Sequence, residues 1–187
     1  CSKAGAVAYE LVKGNTWGQF FYEPAMRSAF EQLVTQAQSH VLAESYNAVT
    51  RRSLGAEAQV NAAINSANLS TTFPTDNTLA DQLKVVARLI GGRATLGLKR
   101  QVFMVTLDGF DTHDNMLSRH PALLRKLSGA MGAFDAAMTE LGVSRQVTTF
   151  TASDFGRALS PNNTGTDHGW GGHQFVMEIG RASCRER

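Results

Sequence analysis

Two short apolar segments, separated by one long amphipathic stretch, restrict the fold of this chain more than any other feature. The first segment reads QVFMVTL at residues 101–107, and the second reads VTTFTA at residues 147–152. Residues 121–141 have the period of a helix that Gly142 ends, with a core stripe at Leu124, Leu127, Met131, Phe134, Met138 and Leu141. Near-continuous hydrophobicity is typical of buried parallel strands. The order strand, helix, strand therefore predicts a β–α–β unit with parallel neighbours and a right-handed crossover.

The first hundred residues have helical patterns instead. Apolar residues at three- and four-residue spacing predict a helix over residues 24–66, with a break or bend at residues 51–55. A second helix is expected over residues 79–90, where Gly91 and Gly92 stop it. The fold class predicted from these patterns is α/β, with a helical first half that caps the sheet.

Composition excludes several classes of protein. The 18 basic and 16 acidic side chains among 187 residues leave a net charge of +2, which gives no electrostatic reason to expect a nucleic acid partner. The two cysteines, Cys1 and Cys184, stand at the ends, so neither a disulfide scaffold nor a cysteine-based zinc module is expected. No apolar run approaches the roughly 18 residues of a membrane span.

The two ends of the chain do not read as natural termini. The sequence opens at Cys1 without a start methionine or a signal peptide, and we expect residues 1–177 to be a fragment of a single larger domain. Residues 178–187 read EIGRASCRER, which back-translates into a common sequencing adapter. We interpret them as a non-native tail; the alternative is a natural basic tail.

Polar residues gather after each predicted strand. Residues 108–115 follow the first strand, while residues 153–157 and 165–173 follow the second. Because ligands of open parallel sheets bind at the carboxyl ends of the strands, these segments are expected to meet. Asp111 and His113 are two residues apart, so extended backbone would point them the same way. Carboxylate and imidazole together are ligands for zinc, iron or manganese.

Each of these residues also has an interpretation without a ligand. Asp111 could cap the following helix or form a turn, and Asp154 could cap a helix that starts at Phe155. Arg157 could hold an anion through two hydrogen bonds or form a surface ion pair. His168 and His173 could be hydrogen-bonding loop residues.

Three motifs in order resemble a bacterial family, the domain of unknown function 1501, which belongs to the alkaline phosphatase and sulfatase superfamily. The motifs are GFDTHDN at residues 109–115, TASDFGRALSPN at residues 151–162 and GTDHGWGGHQFVM at residues 165–177. The resemblance implies part of an alkaline-phosphatase-like α/β/α sandwich with parallel strands. It also implies a divalent metal, such as zinc, calcium or manganese.

The resemblance assigns roles to single residues. Asp111, His113, Asp154 and His168 match metal-ligand positions, whereas Arg157 and His173 are candidates for binding substrate. The superfamily's Ser-Asp-His-Gly motif has Phe155 in place of its histidine here, and phenylalanine cannot bind metal. Asp167 or His173 is the candidate to rebuild that ligand position.

Two functions follow from the resemblance. The first is a metal-dependent hydrolase of small phosphate or sulfate esters, exported to the periplasm with a twin-arginine signal. Its nucleophile is expected upstream of Cys1, so this chain alone should be inactive. The second is a non-catalytic exported binding or assembly protein that keeps the fold with a degenerate site.

Overall fold

The computed structural model describes residues 24–178, without the side chains of Pro24, Glu57 and Glu178. Of the tail predicted to be non-native, only Glu178 lies among these residues. The chain forms five helices there: α1 (Pro24–Thr35), α2 (Val41–Ser66), α3 (Thr78–Gly91), α4 (Arg93–Leu96) and α5 (Met116–Glu140). A 3₁₀ turn at Ser144–Gln146 precedes four strands: β1 (Thr148–Phe150), β2 (Gly156–Pro161), β3 (Thr166–Gly169) and β4 (Val176–Glu178).

The helical first half is as predicted, but its break lies elsewhere. The helix breaks at residues 36–40 and runs unbroken through residues 51–55. His40 caps α2, since its Nδ1 accepts a hydrogen bond from the Leu42 amide. Arg51 donates to the Val34 carbonyl oxygen at 2.6 Å, which joins α2 to the end of α1. A single glycine costs a helix about 1 kcal/mol, which does not break α2 at Gly55.

The core lies between α3 and α5. The predicted stripe of α3 is confirmed, but in that of α5 only Phe134 and Met138 are buried, and Leu124 and Met131 lie outside the core cluster. Leu83, Val86 and Ile90 of α3 pack with Phe134 and Met138 of α5, and all five are buried. Each large apolar side chain buried in this way contributes roughly 1.5–3 kcal/mol.

Local sequence features lie at both ends of α5. The helix begins at Met116 rather than at Pro121, so the predicted start is wrong; Pro121 lies inside the helix, where it has no N–H to donate to the carbonyl four residues earlier. Its carboxyl end is closed by hydrogen bonds from Gly142 N to Thr139 O and from Val143 N to Met138 O, both 3.0 Å. Gly142 has a φ of +66°, which glycine adopts most readily.

Residues 101–107 are extended but have no strand partner among residues 24–178. Phe103, Val105 and Leu107 face the core, whereas Val102 and Met104 are 98% and 92% exposed. The side chain of Gln82 takes the place of a neighbouring strand, because its amide donates to Thr106 O at 2.8 Å and accepts from Thr106 N at 3.0 Å. The prediction of a strand buried on both faces is therefore wrong for these residues.

The four strands form two antiparallel pairs, β1 with β4 and β2 with β3. Thr149 of β1 lies opposite Met177 of β4, and Phe150 lies opposite Val176. The predicted parallel pairing is not present in the part of the chain that the structure describes, because β1 pairs with a later strand rather than with residues 101–107. The mixed helix and sheet composition is confirmed.

None of the helices within residues 24–178 is both long enough and apolar enough to span a membrane.

Candidate metal centre

The first half of the site is the loop that joins residues 101–107 to α5. Asp111 and His113 are exposed on one side of this loop, while Thr112 between them is buried. Asp111 and His113 therefore point the same way, as predicted, but the hydrogen bond from Thr112 N to Phe110 O forms a tight turn at Asp111 rather than extended backbone. Hydrogen bonds from Thr166 N to Thr112 O and from Met116 N to Thr164 O fix the loop to the β2–β3 hairpin.

Glycines allow the hairpin to approach this loop and itself closely. A Cβ atom at Gly165 would overlap the backbone of Thr112 and His113. A Cβ atom at Gly156 would lie 2.6 Å from the carbonyl oxygen of Gly169 and 2.8 Å from that of Gly171. No side chain fits at either position without moving the backbone, so close packing requires glycine at both positions.

Two histidines and one arginine converge on a single carboxylate oxygen, Oδ1 of Asp111. His168 Nε2 lies 2.9 Å from this atom, and His113 Nε2 lies 3.0 Å from it. Arg157 Nη1 donates to it at 2.7 Å. One ligand atom each from Asp111, His113 and His168 lie within 4.8 Å of one another, which is a spacing that one metal ion can span.

A second carboxylate lies behind His113. Asp167 Oδ1 is 3.1 Å from His113 Nδ1, and it accepts a hydrogen bond of 2.6 Å from the side chain of Asn162. A histidine that donates Nδ1–H to a carboxylate presents the lone pair of Nε2, and metal-binding histidines are usually oriented in this way. Asp167 and Asn162 therefore fit the role of orienting His113.

The guanidinium of Arg157 is held by three hydrogen bonds. Nε donates to Thr166 Oγ1 at 3.0 Å, Nη2 donates to Thr166 O, and Nη1 donates to Asp111. The side chain of Arg157 is only 21% exposed, so these hydrogen bonds are largely shielded from solvent.

Aromatic stacking fixes the ring of His168. The Phe155 ring lies parallel to it, with 4.2 Å between ring centroids and 7° between planes. The His113 ring stacks on His168 with a centroid distance of 5.0 Å. Phe155, which cannot bind metal, thus orients a residue that can.

The two carboxylates are held in their charged form. Hydrogen bonds from His168 and then Arg157 lower the pKa of Asp111 below its ordinary value. Hydrogen bonds from His113 and Asn162 lower the pKa of Asp167. Both residues are exposed, so solvent weakens these effects. The direction nevertheless favours ionised carboxylates, which is the form that binds metal.

The structure brings four of the six predicted site residues together, namely Asp111, His113, Arg157 and His168. Asp154 and His173 are exposed and lie outside this cluster. The two capping alternatives are wrong, whereas the turn predicted for Asp111 is present, because Thr112 N donates to Phe110 O at 2.9 Å. Asn115 rather than Asp111 is the cap residue of α5, and β2 rather than a helix follows Phe155.

Sequence analysis missed Asn162 and Thr166, which hold Asp167 and Arg157. A regular strand turns adjacent residues to opposite faces, yet Asp167 and His168 both reach the cluster. The pairing of β2 with β3 shifts register between Arg157 and Pro161. No periodic pattern in the sequence encodes such a shift. The roles of Asn162 and Thr166 therefore could not be predicted from the sequence.

The fold and the site define a mixed helix and sheet domain with an exposed cluster of Asp and His that could hold a metal. A family model described as a protein of unknown function, DUF1501, matches residues 20–177. The match covers most of the chain, which therefore belongs to the DUF1501 family. Neither the curated proteins nor the solved structures contain a match to the chain.

Proposed function

We propose that this chain carries the metal centre of a divalent-metal-dependent hydrolase that acts on small phosphate or sulfate esters. The observation that carries the proposal is the convergence of His113 Nε2 and His168 Nε2 on Asp111 Oδ1. With Nδ1–H of His113 donated to Asp167, two atoms with lone pairs, His113 Nε2 and Asp111 Oδ1, face each other at 3.0 Å. A cation between them would remove that repulsion.

The donor set indicates which cations fit. Two imidazoles and one carboxylate suit zinc, iron or manganese. Calcium prefers six to eight oxygen ligands, so among the metals considered it fits least well. A bound divalent cation would polarise the ester oxygen and lower the pKa of the attacking group.

The chain's own residues would bind and orient the ester. Arg157 has planar donors that suit phosphate or sulfate oxygens, and Thr166 holds it beside Asp111. Asp167 keeps His113 in the required tautomer, and Phe155 keeps His168 in place.

Three further parts of the proposal rest on the family resemblance alone. They are the alkaline-phosphatase-like sandwich of the whole domain, its nucleophile, and export to the periplasm.

Metal binding is tested first, by equilibrium dialysis of this chain against Zn²⁺ and Mn²⁺. We expect one ion per chain and a loss of affinity of about tenfold or more for Asp111→Asn, which removes a direct ligand. Asp154→Asn is the matched control, because Asp154 lies outside the cluster and its substitution should leave affinity unchanged. Equal affinity of both variants would show that the cluster does not hold the metal.

Hydrolysis is tested separately, with the complete protein and a panel of phosphate and sulfate esters. The proposal expects turnover that chelation abolishes and that Asp111→Asn reduces. Metal bound at the cluster without turnover of any ester would refute the hydrolase but keep the metal centre.

That last outcome is what a second candidate predicts, a binding or assembly protein with a degenerate site. The position of Asp154 favours it, because only three ligands converge among residues 24–178 and Phe155 replaces a fourth.

A further inference from the structure

Asp111 Oδ1 is needed by two partners, because the atom that would bind the metal also accepts the 2.7 Å hydrogen bond from Arg157 Nη1. The same atom is 2.9 Å from His168 Nε2, so a metal ligated by Asp111 Oδ1 and His168 would compete with Nη1 for the lone pairs of this oxygen. A cation and a guanidinium on the same oxygen repel each other, so each weakens the binding of the other to Asp111 Oδ1.

Arg157 cannot move far when it is displaced. Nε and Nη2 remain attached to Thr166 Oγ1 and Thr166 O, and these contacts do not involve Asp111. Nη1 would then stay beside the metal with a free N–H and a full positive charge. An anion placed between Nη1 and the metal would satisfy both.

From this geometry we propose that Arg157 couples metal binding to anion binding at one site: the metal displaces Nη1 from Asp111, and the freed guanidinium then recruits a tetrahedral oxyanion. This inference rests on the metal centre under Proposed function and adds an order of assembly, metal before anion. Without the anion, Arg157 competes with the metal for Asp111. With the anion bound, Arg157 and the metal both bind the anion.

Substitution of Arg157 should change the affinities for metal and for anion in opposite directions, which loss of a merely structural arginine would not do. Removing Arg157 should tighten the binding of metal alone, because the competitor for Asp111 is lost. The same change should weaken the binding of anion to the metal-loaded chain. Coupling is reciprocal, so sulfate must strengthen Mn²⁺ binding by the same factor by which Mn²⁺ strengthens sulfate binding.

The experiment measures Mn²⁺ binding to this chain by electron paramagnetic resonance, with and without sulfate. For the wild type we expect sulfate to tighten Mn²⁺ binding by about fivefold or more, which is within the usual range of coupling between sites. Arg157→Gln should bind Mn²⁺ alone more tightly than the wild type and lose most of the sulfate effect. Arg119→Gln is the matched control, because Arg119 forms its ion pair with Asp114 and not with Asp111.

Mn²⁺ binding that is unchanged or weaker in a folded Arg157→Gln variant would overturn the inference. Absence of a sulfate effect in the wild type would also overturn it, and that measurement needs no substitution. If the wild type binds no Mn²⁺ or Zn²⁺, the metal centre itself fails and the inference fails with it. Metal binding and ester turnover without sulfate coupling would leave the proposed function intact and refute this inference alone.

Discussion

Glu140, the last residue of α5, joins this helix to a loop 70 residues earlier in the chain. Its carboxylate accepts hydrogen bonds from Ser70 N at 2.6 Å and Thr71 N at 2.8 Å, and also from both hydroxyls. These bonds, led by that of the Ser70 amide, lower the pKa of Glu140 from 4.5 to about 2. The charged form of Glu140 is therefore the one that stabilises the fold.

This pKa shift predicts how stability depends on pH. A carboxyl with a lowered pKa contributes stability that is complete above its unfolded value, 4.5, and is lost as the pH falls towards about 2. We expect Glu140→Gln to lower the free energy of unfolding at pH 7 and to differ progressively less from the wild type below pH 4.5. Urea unfolding at a series of pH values measures this, with Asp154→Asn as the control for loss of an exposed carboxylate. A difference that is the same at about pH 7 and about pH 3 would contradict the assignment.

At the scale of single residues, the sequence identifies the charged residues of the site but not the residues that hydrogen-bond to them. Asp111 and His113 are neighbours along the chain, and local spacing suffices to pair them. The contact of Arg157 with Thr166 depends on the register of the β2–β3 hairpin, and that of Glu140 with Ser70 on how distant segments pack. No local pattern records such packing.

At the scale of elements, the end of α3 crosses α2 without space for a side chain. A Cβ atom at Gly92 would overlap the Ala63 carbonyl group of α2. Arg88 of α3 fixes the same crossing, because its Nε donates to the Ile64 carbonyl oxygen at 3.0 Å. Gly92 is therefore required by packing, whereas a Cβ atom at Gly132 on α5 would meet no packed neighbour within 4 Å.

These two glycines predict opposite effects of one substitution. Gly92→Ala should destabilise the chain by about 1–3 kcal/mol, because two backbones must separate. Gly132→Ala should stabilise it by about 0.5–1 kcal/mol, because alanine loses less entropy in a helix. Chemical denaturation of both variants checks the pair, and a stabilising Gly92→Ala would refute the close crossing.

Sequence periodicity predicted α3 well, because a stripe of apolar residues specifies which face of a helix is buried. For α5 it predicted the buried Phe134 and Met138 but not the start of the helix at Met116. It predicted the extended form of residues 101–107 but not their partner. Hydrophobicity shows that a strand is apolar, whereas the choice of neighbour depends on which backbone lies closest. Here that neighbour is the side chain of Gln82.

At the scale of the whole molecule, residues 101–107 cover the helices on one side and expose apolar side chains on the other. Phe103 packs against the core of α3 and α5, while the adjacent Met104 is almost fully exposed. Phe150 and Val176, which lie opposite each other on β1 and β4, are also exposed. An exposed apolar surface of this kind favours association between molecules.

Substitutions on the two sides of residues 101–107 are expected to have different effects. Phe103→Ala should destabilise the chain by on the order of 2 kcal/mol, less than for a fully buried phenylalanine. Met104→Gln should change stability by less than about 0.5 kcal/mol, as surface substitutions do, while reducing self-association. Thermal unfolding and sedimentation velocity measure the two effects. Equal destabilisation by both variants would contradict the alternating burial.

The hydrogen bonds of Gln82 with Thr106 also occupy one edge of residues 101–107. Thr106 N and Thr106 O point to one edge, and both are occupied by a side chain that ends there and offers no further backbone. A strand added beside Thr106 would find both backbone groups of this residue already occupied, so Gln82 blocks pairing of a further strand at this point of the segment.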